Sequence, residues 1–220
     1  MNTRCEFDHL VVGADTLEQG AAFIEERLGV RPQAGGAHIA MGTHNVLLRL
    51  GARAYLEVIA IDTLAAAPAC PRWFGLDSPQ TRQRLREEPR LLTWVVRTHD
   101  IEAAVAGCPL PLGTIHRMSR GAFAWRITIP RDGKLIADGL LPTVIQWDGG
   151  LHPADKLEDR GCEIAELDGA HASPASCAEA IRALGLAATL DVRTDPALEF
   201  GGLVARISTR AGIRHLSSGR

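Results

Sequence analysis

The 220-residue chain is poor in aromatic residues, at 5% with a single tyrosine, and has almost no charge imbalance. Its 24 Lys and Arg stand against 26 Asp and Glu, a formal net charge of −2, with the basic residues spread along the chain. That excludes the clustered basic footprint of a nucleic-acid binder and the polybasic patch that steers proteins to membranes. No apolar run reaches the ~20 residues that span a bilayer, and the opening MNTRCEFDH has no apolar signal stretch. Five cysteines (Cys5, Cys70, Cys108, Cys162, Cys177) are odd in number and form no CxxC. A disulfide framework is therefore not expected, and a reducing, cytoplasmic location is. There is no GxSxG, no P-loop and no Ser/His/Asp order, and neither Cys162 nor Cys177 has a base nearby in sequence to make it a nucleophile. The partners expected are a small molecule and a second copy of the chain, forming a homodimer, with no nucleic acid and no membrane.

What is present is an ordinary globular composition, 46% hydrophobic and 23% charged, long enough for a sizeable core. The rest of the chain is organised around residues 7–62. FDHLVV (7–12) and AYLEVIAID (54–62) read as strands, one carrying His9 and the other Glu57 among apolar neighbours. His9 shares a strand face with Phe7 and Val11, and Glu57 shares one with Tyr55 and Ile59. Inside buried strands these groups are costly unless paired, hydrogen-bonded or bound to a metal. If the two strands are neighbours, His9 and Glu57 account for each other, as a structural pair, an acid–base pair or half of a metal site.

Between them, Asp15 is the expected N-cap of a helix, with Glu18 closing a capping box, Leu17, Ala21, Ile24 and Leu28 at helical spacing, and Gly29 at the C-terminal end. HIAMG (38–42) and NVLLRLG (45–51) read as a hairpin turning at Thr43–His44. The stretch is thus a β-α-β-β-β unit. Residues 63–90, rich in proline and charge, form a connector that packs through Trp73, Phe74 and Leu76 and carries a short helix over 79–88. The pattern then repeats: LLTWVVRTHDIEAAVAG (91–107) aligns on FDHLVVGADTLEQGAAF with one residue deleted, and TIHRMSR, AFAWRITIP and LLPTVIQWD supply three more strands. In this alignment Trp94 takes the place of His9 and Gln146 that of Glu57, at closely matched spacing. A weaker third echo follows: CEIAEL, a helix opening at Ser173-Pro174 and ending at Gly185, then ATLDVRT and LVARIST. The expected architecture is α+β: two tandem βαβββ modules at about 5–62 and 91–149 within residues 1–155, facing each other across a cleft. A smaller C-terminal α/β unit, a partial βαββ, follows over 156–220.

These residues resemble a known family. DHLVVGADTLEQGAAFIEERLGV with YLEVIAI resembles the vicinal oxygen chelate superfamily, the glyoxalase and bleomycin-resistance fold. Gly42-Thr43 with Asn45, Arg72-Trp73-Phe74, and Pro142 through Ile145-Gln146-Trp147 to His152-Pro153 are similar to its glyoxalase-like domain group, over roughly residues 5–155. The superfamily hosts isomerases, lyases, extradiol dioxygenases and ligand-sequestering proteins, so fold does not decide function. The resemblance implies metal ligands on the first and last strands of each module. Those positions are His9 and Glu57, then Trp94 and Gln146. Trp94 cannot coordinate, since its indole nitrogen only donates.

Three readings follow. In the first, a divalent ion (Mn, Fe, Ni or Zn) at His9, Glu57 and Gln146 binds a small oxygen-rich molecule for isomerase, lyase or dioxygenase chemistry, with Glu57 as the alternative catalytic base. The substrate-binding residues expected are Trp94, His116, Arg126, Gln146 and Trp147, with an arginine suited to an anionic or carbonyl-bearing group. In the second, Trp94, Trp125 and Trp147 form an aromatic cleft that sequesters a ligand without chemistry. In the third, the chain is a scaffold with a vestigial cleft. His38, early in its strand, is a further candidate for the cup, whereas His44 and His99 read as exposed.

Overall fold

A computed structural model describes residues 5–197 and 201–219. The first module runs β1 (Glu6–Gly13), α1 (Leu17–Leu28), β2 (Gln33–His38), β3 (Thr43–Gly51) and β4 (Ala54–Ile61). The second runs β5 (Arg90–Arg97), α3 (Ile101–Gly107), β6 (Thr114–Arg120), β7 (Phe123–Ile129) and β8 (Thr143–Trp147), after α2 (Pro79–Glu87) in the connector. Both are βαβββ units, and they join edge to edge into one eight-stranded sheet of order β2-β3-β4-β1-β5-β8-β7-β6. In each module the first strand pairs parallel with the last, β1 with β4 and β5 with β8. The seam between modules is the antiparallel pair β1–β5. The sheet curls until its outer strands β2 and β6 touch, which makes a cup.

Alternation along the strands separates two cores. On the outer face Leu10, Val12, Leu56, Val58, Trp94 and Val96 pack against Ile24 and Leu28 of α1 and Ile101 and Ala104 of α3. Inside the cup Val11, Ile59, Val95, Trp125, Ile127 and Ile145 meet Trp73, Phe74, Leu76 and Leu85 from the connector, which fills one end. Phe74 adopts a left-handed φ of 58°, rare for a bulky side chain, and stacks on Trp73 with centroids 5.4 Å apart.

The C-terminal unit is β9 (Glu163–His171), α4 (Ala175–Ala183), β10 (Asp191–Thr194), β11 (Gly202–Thr209) and β12 (Gly212–Ser217). Its sheet order is β10-β9-β11-β12, so its first strand pairs with the second and third, unlike either module, and the resemblance to a third copy ends at the element order. The last strand, β12, goes beyond the expected βαββ pattern. Leu167, Leu203, Ala205 and Ile207 of this unit cover the outer face of the large sheet. All five cysteines are free, and among the described residues no helix is long and apolar enough to cross a membrane.

Three local expectations shift. The N-cap of α1 is Thr16, whose Oγ1 accepts the Gln19 N–H at 3.2 Å, and Gln19 reaches back to the Asp15 N–H. The box is thus closed by Thr and Gln, one residue later than Asp15 and Glu18 would set it. The N-cap of α4 is Pro174 without a side-chain bond, so Ser173 does not cap it. The hairpin begins upstream, on QAGGAH, because Ile39–Met41 forms a 3₁₀ turn that leaves Ile39 in solvent. Two glycines hide β2 from a propensity reading.

Gly20 lies where α1 crosses β4. A Cβ there would sit 2.3 Å from Val58 Cγ1 and 2.8 Å from Ala14 Cβ. Gly20→Ala should therefore destabilise by about 1–3 kcal/mol through overpacking, although alanine is the better helix former. Adding Val58→Ala should restore part of the loss as a favourable coupling in a double-mutant cycle by denaturant melts. A Gly20→Ala protein more stable than wild type would place α1 farther from the sheet.

Candidate active site in the cup

The site starts from a break in the β1–β5 register. Phe7 pairs with Val96 but His9 with Val95, so Asp8 is an extra residue, a β-bulge. Bulges re-aim side chains, and here Asp8 and His9 work together. Asp8 is fully buried and gathers three donors. His9 Nδ1 lies 2.6 Å from Oδ1, while His152 Nε2 and the Trp147 indole N–H both reach Oδ2 at 3.0 Å. The Ala154 N–H donates to His152 Nδ1, which leaves the His152 proton on Nε2, facing Asp8. Burial alone would raise the Asp8 carboxyl, but hydrogen bonds from His152 and His9 and the charge they can carry outweigh it, holding Asp8 well below the ordinary range.

Asp8 thereby fixes His9 with Nδ1–H toward the carboxylate and Nε2 toward the cup. Tyr55 stacks on the ring at 4.3 Å. Burial, with Asp8 and Glu57 nearby, keeps the Tyr55 phenol protonated. Glu57 Oε2 sits 3.8 Å from His9 Nε2, too far for a hydrogen bond, and Asn45 Nδ2–H holds Oε1 at 2.5 Å. Asn45 is oriented in turn by the Gly36 N–H and Arg120 Nη1, which both donate to its Oδ1. His38 Nε2 accepts from Arg120 Nη1 at 3.1 Å and its Nδ1 meets Thr43 Oγ1 at 3.1 Å.

The pocket these residues bound is small, about 30 Å³, with room for one water-sized occupant. Its polar side comes from the first module (His9, His38, Asn45, Glu57). Its apolar side is Trp125, Ile127, Ile145 and Trp147 of the second module, with Trp73 and Phe74 of the connector.

The structure brings together His9, Glu57 and Trp147 from the expected set, and His38 with them. It turns others away. Trp94 is wholly buried behind the sheet, its indole N–H donating to the Leu140 carbonyl, and it pairs with Leu10, whereas Val95 pairs with His9. Gln146 also faces the outer side, where its Oε1 accepts the Ile101 N–H at the start of α3 and Arg126 Nη2. Arg126 completes that cluster with Glu102. His116 shares a face with Ile127 but bonds Thr114 near the open edge, away from the pocket. The register sets Val95 rather than Trp94 beside His9, and Ile145 rather than Gln146 faces the pocket, because neighbouring residues of a strand face opposite sides. Asp8 and Arg120 escaped the sequence reading, which named Tyr55 and Asn45 without giving either a role in the site. Asp8 could have been found by the Asp-His dipeptide inside an apolar run.

A divalent ion held by His9, Glu57 and Gln146 does not fit this arrangement. Gln146 is behind the sheet, His38 engages Arg120, whose charge opposes a cation, and among the described residues no three His, Cys, Asp or Glu side chains converge on a metal position.

A curled sheet of paired βαβββ modules with its polar groups inside the cup defines the vicinal oxygen chelate superfamily. The chain belongs to the glyoxalase-like domain family, which matches residues 7–185. Among solved structures it is similar to a hypothetical protein from Staphylococcus aureus, with a TM-score of 0.59 and 14% identity over 97% of this chain and 84% of that one. Methylmalonyl-CoA epimerase from Mycobacterium tuberculosis matches at a TM-score of 0.40 and 16% identity, over 64% of this chain and 85% of that one. At these identities the likeness concerns the fold. A comparison with curated proteins finds no match.

Burial pushes the His38 imidazole down to about 4 from 6.5, with Arg120 adding to the effect and Glu57 opposing it. The unfolded chain therefore binds a proton at His38 that the folded one refuses between those values, so stability should fall as pH drops through this window. Asp8, whose folded pKa is depressed, adds stability that is lost only further down, below about 4. Denaturant midpoints measured from pH 7 to 4 should decline in wild type and decline less in His38→Gln. Equal slopes in the two proteins would mean that His38 titrates freely.

Proposed function

We propose that the cup binds a small carbonyl-bearing molecule and that Glu57 moves a proton at the carbon beside the carbonyl, an isomerase- or lyase-type step. The observation that carries this reading is the placement of Glu57 Oε2 and His9 Nε2, which line the pocket 3.8 Å apart, too far for a hydrogen bond to each other. Each belongs to a buried side chain whose other polar atom is tied down, by Asn45 and Asp8 respectively.

In the step, Oε2 takes the proton and the electron pair left on carbon delocalises onto the carbonyl oxygen. The carboxylic acid so formed stays held by Asn45 beside the His9 ring. The same carboxyl then returns the proton to the original carbon or to its neighbour. Glu57 is the catalytic residue, and His9 and Asp8 are positioning residues. Trp125 and Trp147 exclude water from the base, which supports its reactivity.

A second reading has its own support in the three indoles lining the pocket, Trp73, Trp125 and Trp147, which suit a flat ligand held without reaction. The two part in deuterium oxide. Wild type incubated with small 2-oxo and 2-hydroxy carbonyl compounds should exchange the C–H beside the carbonyl, followed by proton NMR. Glu57→Gln should slow the exchange by about 10²-fold or more at unchanged melting temperature. Ligands that bind and exchange no proton would make the chain a binding protein.

A further inference from the structure

Arg120 stands at an unusual place in this fold. It is the last residue of β6, on one outer edge of the sheet, yet its Nη1 donates to Asn45 Oδ1 and His38 Nε2 across the gap, on β3 and β2. It is the one arginine or lysine among the described residues that bound the pocket. Gly36 on β2 makes its course possible: a Cβ there would sit 2.9 Å from Arg120 Cδ.

Both of its partners are neutral. Asn45 carries no charge, and His38 is held unprotonated by burial with Arg120 beside it. Arg120 forms no ion pair among the described residues, and its Nε and Nη2 donate to no protein acceptor there. The other well-placed arginines are paired: Arg72 with Asp77, Arg97 with Glu6, and Arg126 with Glu102. Trp73, which also lines the pocket, has its Nε1 buried without an acceptor. The pocket therefore offers a planar fork of N–H donors that carries a positive charge and makes no ion pair among the described residues. Glu57 and His9 stand beyond His38 and Asn45, with Glu57 Oε1 3.9 Å from the His38 Nε2 that Arg120 reaches. A guanidinium fork matches a carboxylate.

From these observations we infer that the ligand of the cup is a small carboxylic acid, and that Arg120 is the residue that selects it by binding its carboxylate. This rests on the reading of the cup as a small-molecule site and adds the charge and the polarity of binding. With the carboxylate on Arg120, the carbon beside it points toward Glu57 Oε2, and the like charge of Glu57 keeps the acid from binding the other way round. A pocket of about 30 Å³ is smaller than such an acid, so binding requires side chains around it to move aside. Arg120, whose Nη1 bonds His38, also links β6 to β2.

The test uses pyruvate and malonate beside their neutral amides, pyruvamide and malonamide, on the full chain at pH 7. Binding is read by quenching of the pocket tryptophans and by the shift in melting temperature. The acids should bind saturably and the amides about tenfold or more weaker, as loss of a charge-assisted pair implies. Arg120→Gln should remove the difference between acid and amide, and Arg120→Lys should recover only part of it. Glu57→Gln should tighten the acids, since it removes the like charge. Should Arg120→Gln fail to fold, Gly36→Ala, which displaces the arginine stem while keeping its charge, should give the same loss of preference. Amides binding as well as acids, neither acid binding, or an Arg120→Gln protein with undiminished preference would each overturn the inference. The proposed reaction fails separately. Acids that bind with Arg120-dependent preference but exchange no proton would leave the carboxylate site standing without the chemistry. Exchange of neutral ketones with no preference for acids would do the reverse.

Discussion

The arrangement of the cup depends on one buried carboxylate. Asp8 is sealed from water, and three side chains converge on it: His9 beside it in sequence, and Trp147 at the end of β8 with His152 in the following turn. A carboxylate in such surroundings is unfavourable by several kcal/mol unless its lone pairs are filled. The donors are therefore committed to their positions by the cost of leaving. The first strand of one module is thus tied to the last strand of the other, and the imidazole that faces the ligand is fixed in orientation. The bulge that makes this possible spends one residue of strand register on a site.

The two modules share a fold and divide the labour. All acceptors that face the pocket, and the amide that orients them, come from the first. The second supplies indoles and aliphatic side chains at the corresponding depth, plus Arg120 from its outer edge. A symmetric set of ligands would centre a metal ion between the modules. The asymmetric set makes a polar wall opposite an apolar one, a gradient suited to a ligand with an ionic end and a reacting carbon. Charge then orients the ligand before any chemistry begins.

Much of the fold was legible because periodicity survives in a single sequence. The two βαβββ units, the connector helix, the three strands of the second module and the adjacency of His9 and Glu57 all follow from alternation, caps and spacing. The site was legible in part. A repeat alignment assigns residues to positions along a strand, whereas function depends on which face they occupy, and along β1 and β5 the bulges at Asp8 and Leu92 alter that by one residue each. Trp94 and Gln146 were placed in the cup by counting, and the sheet turns them outward. Arg120 was hidden for a different reason. It sits at a strand end in a charged stretch, and only the curl of the sheet, a property of all eight strands together, carries it over the pocket.

The seam between β1 and β5 has a consequence for how this protein can change. Two separate copies of one module, joined by the same antiparallel pair, would be an isologous dimer, in which every substitution occurs twice. Such an assembly cannot place a glutamate in one half and an isoleucine in the other. Here connector 63–90 makes the two halves one chain, and each residue around the pocket appears once. A change in the tryptophan wall leaves the base untouched, and a change at Arg120 leaves the bulge untouched. Covalent linkage thus releases the ligand specificity of the cup from the symmetry of its frame.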